Sequence, residues 1–201
     1  MTAFYRRNLT CLAAAVVVAS WTAGCGSGSK SGGAQPSATD GIPSPNSTVV
    51  ATQLVLDTGT LSASDVDPGV VVDGVIKDGA QFTTWYATRT ADMLLSKNSK
   101  VLLSDEAGKV TTAINSMGKR PTPDGLHSTA LEILAQELVD ANLINAQTLG
   151  GAVDSAGKVS LGSALNTWYS AHQNDMLPGS STVAYSTEES RIVAVLQRTP
   201  S

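Results

Sequence analysis

The feature that most constrains the fold of this chain is a motif around tryptophan that occurs twice. Thr84-Trp85-Tyr86 with Asp92-Met93-Leu94 recurs as Thr167-Trp168-Tyr169 with Asp175-Met176-Leu177, at a constant offset of 83 residues. With small gaps, the similarity extends over residues 50–115 and 133–197. Two copies are too few for a stacked repeat protein, so we expect them to pack as one domain with pseudo-twofold symmetry.

Polar positions upstream of the tryptophans are also shared between the copies. The pairs are Gln53 with Gln136, Asp57 with Asp140, and Gly59 with Asn142. Glycine and asparagine are the residue types that best tolerate the left-handed backbone at the end of a helix. We therefore predict that both copies begin with a helix, although the segment from Val49 to Leu56 alone is rich in β-branched residues and resembles a strand.

The rest of each copy follows from local patterns. Residues 70–77 are rich in β-branched residues around Asp73-Gly74, which predicts a β-hairpin. Ser104-Asp105-Glu106 and Ser186-Thr187-Glu188 are typical helix starts. The predicted class is α+β, with helix, hairpin, helix, strand and helix in each repeated unit. The tryptophan helices are expected at about 79–96 and 161–176, the strands at 100–104 and 181–186, and the closing helices at 105–117 and 187–197.

The first residues of the chain indicate export. Arg6 and Arg7 precede an apolar run from Leu9 to Trp21, and small residues follow it. A basic start, a short apolar segment and a small-residue exit are typical of a secretory signal peptide. The run is shorter than the roughly 18 to 20 apolar residues that a transmembrane helix needs. We therefore predict a cleaved signal peptide at 1–24 rather than a membrane span.

The tetrapeptide Thr22-Ala23-Gly24-Cys25 resembles the lipobox of bacterial lipoproteins, with Thr22 where the family usually has leucine. The resemblance covers only the leader. It implies cleavage before Cys25 by signal peptidase II and acylation of that cysteine, which anchors the mature protein to a membrane. In a Gram-negative cell it also implies sorting to the outer membrane, facing the periplasm, because Gly26 rather than aspartate follows. An ordinary secreted protein cleaved nearby is the alternative.

Composition sets two limits on the mature chain. Cys11 lies in the leader and Cys25 is the only other cysteine, so the folded part has no disulfide and depends on hydrophobic burial. The leader holds two of the 13 basic residues and none of the 17 acidic ones, which leaves 11 Lys+Arg against 17 Asp+Glu. This acidic balance argues against a nucleic-acid partner.

The composition also predicts where the folded part begins. Residues 26–47 contain almost no large apolar side chains, which predicts a flexible tether after the lipidated cysteine. The linker between the two copies is marked by Pro121 and Pro123. The predicted segments are the tether at 25–47, the first unit at 48–117, the linker at 118–125 and the second unit at 126–198.

The tryptophan helices carry the candidate binding residues. In each helix, aromatic and basic side chains recur at helical spacing and form one stripe. The residues are Trp85, Tyr86 and Arg89 in the first copy and Trp168, Tyr169 and His172 in the second. Aromatic rings with a cation can bind a sugar, a carboxylate or a partner helix. The alternative is that the stripes pack in the core, with the basic residues at the edge paired to Asp92 and Asp175.

The sequence offers little for catalysis or for metal binding. His127 and His172 are the only histidines, and the chain has no Gly-x-Ser-x-Gly turn. His127 with Ser128 is predicted to cap a helix. The stretch 154–160 resembles a calcium loop only faintly, because acidic residues are missing at its third and fifth positions. We expect no metal, no cofactor and no phosphate-binding loop.

These patterns favour an envelope lipoprotein that binds or scaffolds a partner, such as an envelope protein or the cell wall, and that is not an enzyme. Two alternatives remain open. One is a periplasmic carrier of a small apolar ligand, held in a cavity between the two copies. The other is a cell-wall hydrolase, which requires His127 or His172 to lie near a carboxylate and a hydroxyl.

Overall fold

The structure is a computed structural model that describes residues 45–94, 99–117 and 122–198. Contacts divide the chain into two units, Met1–Pro36 and Ser37–Ser201. All of the described residues belong to the second unit. None of the helices in the described ranges is long and apolar enough to cross a membrane.

Several predicted segments lie wholly or partly outside the described residues. These are the signal peptide at 1–24, the lipid attachment at Cys25, the tether up to residue 44 and the part of the linker at 118–121. Their predicted roles stay predictions. The remaining segments contain all of the candidate binding residues of the tryptophan stripes.

Helices dominate the fold, and a small two-stranded sheet accompanies them, which is compatible with the predicted α+β class. The helices are α1 (Pro45–Asp57), α2 (Ala80–Ala87), α3 (Leu103–Ser116), α4 (Pro123–Asp140), α5 (Ser163–His172) and α6 (Tyr185–Leu196). The antiparallel strands are β1 (Val71–Val72) and β2 (Val75–Ile76). Short 3₁₀ segments cover Ala63–Asp65 and Ala146–Ala152.

The four longest helices form the centre of the molecule. Helix α1 contacts α3 and α6, and α4 contacts the same two helices, so the four make a closed ring. Leu54 of α1, Leu134 and Leu138 of α4, and Ile192 of α6 are almost completely buried. Burial of such apolar side chains is the main favourable term in folding. The ring therefore holds the core, and α2 and α5 are additions to it.

The first helix of each predicted copy is confirmed, including its end. Helix α1 ends at Asp57 and α4 ends at Asp140. Gly59 and Asn142 then adopt left-handed backbone, with φ of 72° and 56°. These are the two positions at which the sequence predicted a helix stop. The strand-like composition of α1 is overridden because its apolar residues pack inside the ring.

The predicted tether ends too late. Helix α1 begins at Pro45, and Ser47 is already buried. The hydroxyl of Ser47 lies 2.6 Å from the hydroxyl of Thr111 on α3. Ser47, the last residue of the predicted tether, therefore belongs to the core of the domain.

The predicted linker also extends too far, because α4 begins at Pro123. Proline is favoured in the first turn of a helix, where its missing N–H needs no partner. The hydroxyl of Thr122 accepts the N–H of Gly125 at 3.3 Å and caps the helix. The prediction that His127 and Ser128 cap it is wrong, since both lie beyond its first turn.

The predicted hairpin is confirmed at Asp73-Gly74. Val71 pairs with Ile76 and Val72 pairs with Val75. The hairpin is fixed to α1 by one side chain, since Gln53 Nε2 donates to the carbonyl of Gly74 at 2.9 Å. Its Oε1 accepts the N–H of Ile76 at 2.8 Å.

A glutamine fixes a turn to α4 in the same way. Gln136 Nε2 donates to the carbonyl of Gly157 at 3.0 Å, and its Oε1 accepts the N–H of Val159 at 2.7 Å. This turn contains a single bridge, between Val153 and Val159. The anchoring contacts are therefore alike, whereas the strand pairing is weaker here than at β1 and β2.

The tryptophan helices are shorter than predicted. Helix α2 ends at Ala87 and α5 ends at His172, so neither reaches the methionine at the end of its stripe. The predicted strands at 100–104 and 181–186 are wrong. Only single bridges form, from Met93 to Leu102 and from Met176 to Ala184. The chain cannot extend these bridges because α3 and α6 begin at the next residue, two residues earlier than predicted.

Candidate functional site

The first predicted binding stripe packs mainly in the core. Trp85 is buried, and its Nε1 donates to the carbonyl of Asp65 at 3.1 Å. Its ring lies 6.1 Å from that of Phe82. Tyr86 is half-buried, and its hydroxyl donates to the carbonyl of Leu103 at 3.3 Å. The guanidinium of Arg89 lies 5.8 Å from the Trp85 ring centre, at the edge of this cluster.

The second stripe has a similar core but a more open edge. Trp168 is buried, and Tyr185 meets it edge-on at 5.5 Å, while the His172 ring lies 5.4 Å away. Tyr169 is half-buried, and burial together with the charge of Glu189 raises its pKa to about 12. An open depression of about 470 Å³ borders Trp168, His172 and the turn around Leu149. This is where a predicted stripe reaches a concave surface.

The predicted edge pairs are confirmed in both stripes. Arg89 Nη1 lies 3.4 Å from Asp92 Oδ2, and His172 Nδ1 lies 3.9 Å from Asp175 Oδ2. The exposed fractions of these side chains are 40% and 56% in the first pair and 42% and 66% in the second, so each pair contributes little to stability. His172 Nδ1 itself is buried and has no hydrogen-bond partner among the described residues. The burial of the tryptophans favours the core interpretation, and recognition of a partner by the six stripe residues stays a prediction.

A second site, cleft 1, lies between α3 and α4 and is closed by the loop at residues 156–159. Its volume is about 410 Å³, within the usual range for small-molecule sites. The walls combine apolar side chains with several charged ones. The lining includes Glu106, Lys109, Val110 and Ala113 of α3, Glu132, Ile133, Gln136 and Asp140 of α4, and Lys158 and Val159 of the loop.

A charged triad forms one wall of cleft 1. The Lys109 ammonium forms an ion pair with Asp140 across the contact between α3 and α4. The same ammonium lies 3.7 Å from Glu106 Oε2. Lys109 is partly exposed, whereas Glu106 is only 1% exposed. Glu106 thus belongs to the lining of cleft 1, but its side chain is almost completely buried.

Glu106 is held in an unusual state for a glutamate. Neither of its carboxyl oxygens has a hydrogen-bond partner among the described residues. Burial, reinforced by Asp140 and opposed by Lys109, raises the pKa of this carboxyl to about 8. Glu106 is consequently mostly protonated and neutral at pH 7.

Two more glutamates continue from Glu106 into the core. Glu137 of α4 and Glu188 of α6 are fully buried, and their carboxyl oxygens also lack partners among the described residues. Burial raises the pKa of Glu137, and Glu106 and Asp140 add to this effect. Burial raises the pKa of Glu188 as well, reinforced by Asp57 and Glu137. The carboxyl groups thus form a buried series between α3 and α6.

The other end of this series lies near a smaller site, cleft 2, between α1 and α6. Arg191 forms an ion pair with Asp57 there. Cleft 2 has a volume of about 270 Å³ and a mostly apolar lining. The lining includes Val50, Gln53, Val75, Arg191, Ile192, Ala194, Val195 and Arg198. It resembles cleft 1 in having one anchoring glutamine and one ion-paired basic residue.

The remaining predicted catalytic candidate, His127, contacts a carboxylate. Its Nδ1 lies 2.6 Å from Glu189 Oε1, which joins α4 to α6. In the described ranges, no group of three or more His, Cys, Asp or Glu side chains is arranged to hold a metal ion. The described geometry therefore directs attention to the clefts rather than to a metal centre.

The buried glutamates were missed in the sequence, although a signal for two of them existed. Glu106 and Lys109 occupy the same spacing in α3 as Glu188 and Arg191 in α6. A glutamate and a basic residue three positions apart usually indicate an exposed helix face. Glu137 has no counterpart of this kind, because it meets the other two glutamates only where α3, α4 and α6 pack together.

Comparisons with known proteins add no family to this geometry. No protein-family model matches the chain, and no curated protein or solved structure matches it. Inference about function therefore depends on the contacts of the described residues and on the sequence patterns.

Proposed function

We propose that this protein is a non-enzymatic binding protein of the bacterial cell envelope, anchored by lipid on Cys25, that holds a small ligand in cleft 1. The observation that carries the binding role is the cleft itself. It combines a volume of about 410 Å³ with a wall on which Glu106 is buried, 3.7 Å from the Lys109 ammonium. Buried carboxyl groups are costly for stability, and carboxyl groups with a shifted pKa concentrate at functional sites.

We further propose that the domain consists of two copies of one unit around a pseudo-twofold axis. Support comes from contacts that recur at the offset seen in the sequence. Gln53 contacts Gly74 and Ile76. Gln136 contacts Gly157 and Val159, and each of these three residues lies 83 positions after its counterpart in the first copy. The ion pairs connect the two proposed copies in both directions. Asp57 of the first copy pairs with Arg191 of the second, and Asp140 of the second copy pairs with Lys109 of the first. On this interpretation both clefts lie where one copy meets the other.

A substitution that fills cleft 1 with a large side chain tests whether the cleft holds a ligand. Ala113→Trp places a large side chain in cleft 1, and Ala194→Trp, on the wall of cleft 2, is the matched control. We expect mass spectrometry of gently extracted native protein to detect a bound small molecule in the wild type and in Ala194→Trp. The molecule should be lost in Ala113→Trp. Wild-type protein without any bound molecule under these conditions would contradict the proposal.

The anchor is testable separately from the cleft. We expect Cys25→Ser to move the protein from the membrane fraction to the soluble fraction, because acylation of this thiol supplies the membrane affinity. Cys11→Ser is the control, since it removes the other thiol and should leave the protein on the membrane. Membrane association that persists in Cys25→Ser would refute the lipid anchor without affecting the proposed cleft.

A carrier of a small apolar ligand is the second candidate function, and the lining of cleft 2 favours it. Val50, Val75 and Val195 line that cleft, and its volume of about 270 Å³ suits a small apolar molecule. The same extraction experiment separates the two proposals. A bound apolar molecule that is lost in Ala194→Trp and kept in Ala113→Trp would assign the ligand to cleft 2.

A further inference from the structure

We propose that cleft 2 binds an amphiphilic anion, whose short apolar chain lies in the cleft and whose terminal carboxylate contacts Arg198. This inference rests on the carrier role suggested for cleft 2 and names the chemical class of the ligand. Among the described residues that line the cleft, Arg191 and Arg198 are basic and none is acidic. A mostly apolar lining with a few charged groups of one sign suits a molecule with one charged end and an apolar body.

The surface that cleft 2 offers to a ligand is mostly apolar. The lining includes the accessible side chains of Val75 and Ala194 and the buried ones of Val50 and Val195. Gln53 also lines the cleft, but both ends of its amide are engaged by the hairpin. The volume of about 270 Å³ is slightly below the usual range of small-molecule sites. The cleft therefore suits one short apolar chain rather than a lipid with two long ones.

Arg198 places a positive charge beside these apolar side chains. It closely follows α6, and its N–H donates to the carbonyl of Val195 at 3.2 Å, which continues the last turn. Residues three and four positions apart lie on one helix face, so Arg191, Val195 and Arg198 line the cleft from the same side. Arg198 forms no ion pair with any of the described residues. A guanidinium group can donate two parallel hydrogen bonds to one carboxylate.

The charges near cleft 2 leave one cation uncompensated. Arg191 forms an ion pair with Asp57. Glu188 lies on the same helix, and burial, reinforced by Asp57 and Glu137, raises its pKa and so favours its neutral form. Arg198 is then the remaining charge of the lining. A carboxylate carries the single negative charge that matches it, whereas a phosphate monoester carries about 1.5 to 2 at pH 7.

Cleft 1 lacks this combination. At the offsets that align the two proposed copies, Val75 corresponds to Lys158 and Arg198 corresponds to Ser116. Both Lys158 and Ser116 line cleft 1. The charge of Lys158 acts on Glu132, which lines the same cleft. Cleft 1 is therefore an internal control for a carboxylate ligand, because acidic side chains accompany the basic ones in its lining.

The position of Arg198 also has a purely structural explanation. A basic side chain near the end of a helix interacts favourably with the helix dipole. The two roles differ in what the loss of the charge changes. The dipole explanation predicts a small loss of stability in Arg198→Gln and no effect on ligands, whereas contact with a ligand predicts weaker binding of carboxylates. Binding is therefore the quantity to measure.

The test is calorimetric titration of the mature chain with sodium octanoate at pH 7, below the concentration at which octanoate forms micelles. 1-Octanol and octylamine have the same chain with a neutral or a positive end, and they should bind at least about tenfold more weakly. Acetate has the charge without the chain and should also bind more weakly. The affinity for octanoate should fall as salt is added. Absence of octanoate binding, or equal binding of octylamine, would overturn the inference.

Two charge variants assign the carboxylate to Arg198. Arg198→Gln should fold normally, as circular dichroism would show. It should reduce the affinity for octanoate at least about tenfold and leave that for 1-octanol unchanged. Lys100→Gln is the matched control, because it removes one positive charge from an exposed position outside the lining of both clefts. Unchanged octanoate affinity in Arg198→Gln, or an equal loss in Lys100→Gln, would overturn the assignment.

The two tryptophan variants locate the apolar chain. Ala194→Trp should abolish octanoate binding, because it fills cleft 2, whereas Ala113→Trp fills cleft 1 and should leave the affinity unchanged. The opposite result, with binding lost only in Ala113→Trp, would place the anion in cleft 1 and overturn the inference.

The outcome for the carboxylate is separable from the outcome for the carrier role. If native protein carries an uncharged apolar molecule that Ala194→Trp removes, the carrier role stands and this inference fails. If octanoate binds through Arg198 and the native protein carries no molecule, the carboxylate site stands and the carrier role fails.

Discussion

Gln136 holds Val159 through a hydrogen bond of 2.7 Å from the Val159 N–H to the side-chain oxygen, and both residues line cleft 1. The same side chain donates to the carbonyl of Gly157. We expect Gln136→Ala to lower the free energy of unfolding by about 1–3 kcal/mol, because it leaves two backbone groups without their partner. Urea unfolding measures this, and Gln147→Ala on the exposed surface should change stability by less than about 0.5 kcal/mol. Equal effects of the two substitutions would contradict the anchoring role.

The buried glutamates predict that the domain is most stable at mildly acidic pH. Glu106 has a pKa of about 8 in the folded protein against an ordinary value of 4.5, and the pKa values of Glu137 and Glu188 are also raised. Between pH 4.5 and pH 8, the folded state therefore binds more protons than the unfolded chain. The free energy of unfolding should therefore fall as pH rises from 5 to 8, by at most about 1.4 kcal/mol per pH unit for each carboxyl.

Urea unfolding at several pH values measures this dependence. Glu106→Gln should reduce the slope, because its amide does not ionise. The pKa of Lys109 is raised above its ordinary value of 10.5, so this side chain keeps its charge throughout the window and does not produce the same trend. A wild-type stability that increases from pH 5 to pH 8 would show that the three carboxyl groups are not held in the protonated form.

Trp85 is expected to act mainly through packing. We expect Trp85→Ala to lower the free energy of unfolding by about 3–5 kcal/mol, because the side chain is buried and donates a hydrogen bond to Asp65. Met93 belongs to the same predicted stripe but is 48% exposed, and Met93→Ala should cost less than about 1 kcal/mol. Chemical denaturation distinguishes these values. If the Trp85→Ala protein folded and were as stable as the wild type, this would contradict the packing role and favour a role of Trp85 in recognition.

A close approach of two loops predicts an effect of Gly179. This residue has a φ of 96°, and a Cβ atom there would lie 2.9 Å from the carbonyl oxygen of Thr58. The N–H of Ser180 donates to that same oxygen at 3.1 Å. We expect Gly179→Ala to cost about 2–3 kcal/mol, because it adds a clash to the strain of a left-handed backbone.

Gly74 provides the control for backbone strain alone. Its φ is 75°, and no heavy atom of the described residues lies within 4 Å of a Cβ placed there. Gly74→Ala should therefore cost only about 1 kcal/mol. If thermal or urea unfolding gave the same loss for both glycines, the contact with Thr58 would not be a constraint on the fold.

Comparison of the two halves made α1 predictable, because the segment aligned with it is plainly helical. The ends of the tryptophan helices were not predictable in this way. Both stripes continue in sequence to a methionine, and local periodicity does not reveal that the chain leaves the helix at Thr88. That exit is set by turns in which Arg89 and Asp92 donate their N–H groups to nearby carbonyls.

The candidate site was less predictable than the fold. The aromatic residues attracted attention by their repetition, and most of their surface is used in packing. Glu106 is repeated as Glu188, but this repetition does not reveal burial, because the burial that raises the pKa of Glu106 depends on packing against α4, where Asp140 adds to the effect. Sequence patterns report the neighbours of a residue along a helix, whereas a buried charge is defined by neighbours from other helices.

The closed ring of helices has a consequence for the order of events during synthesis. The contact between Asp57 and Arg191 joins positions that are 134 residues apart. Helix α1 lacks one of its two helical neighbours until α6 has emerged from the ribosome. Contacts of such long range form slowly, so the nascent chain spends most of its synthesis without a completed core. An uncompacted chain is the form that a narrow translocation channel accepts, and this topology thus suits the export proposed for the protein.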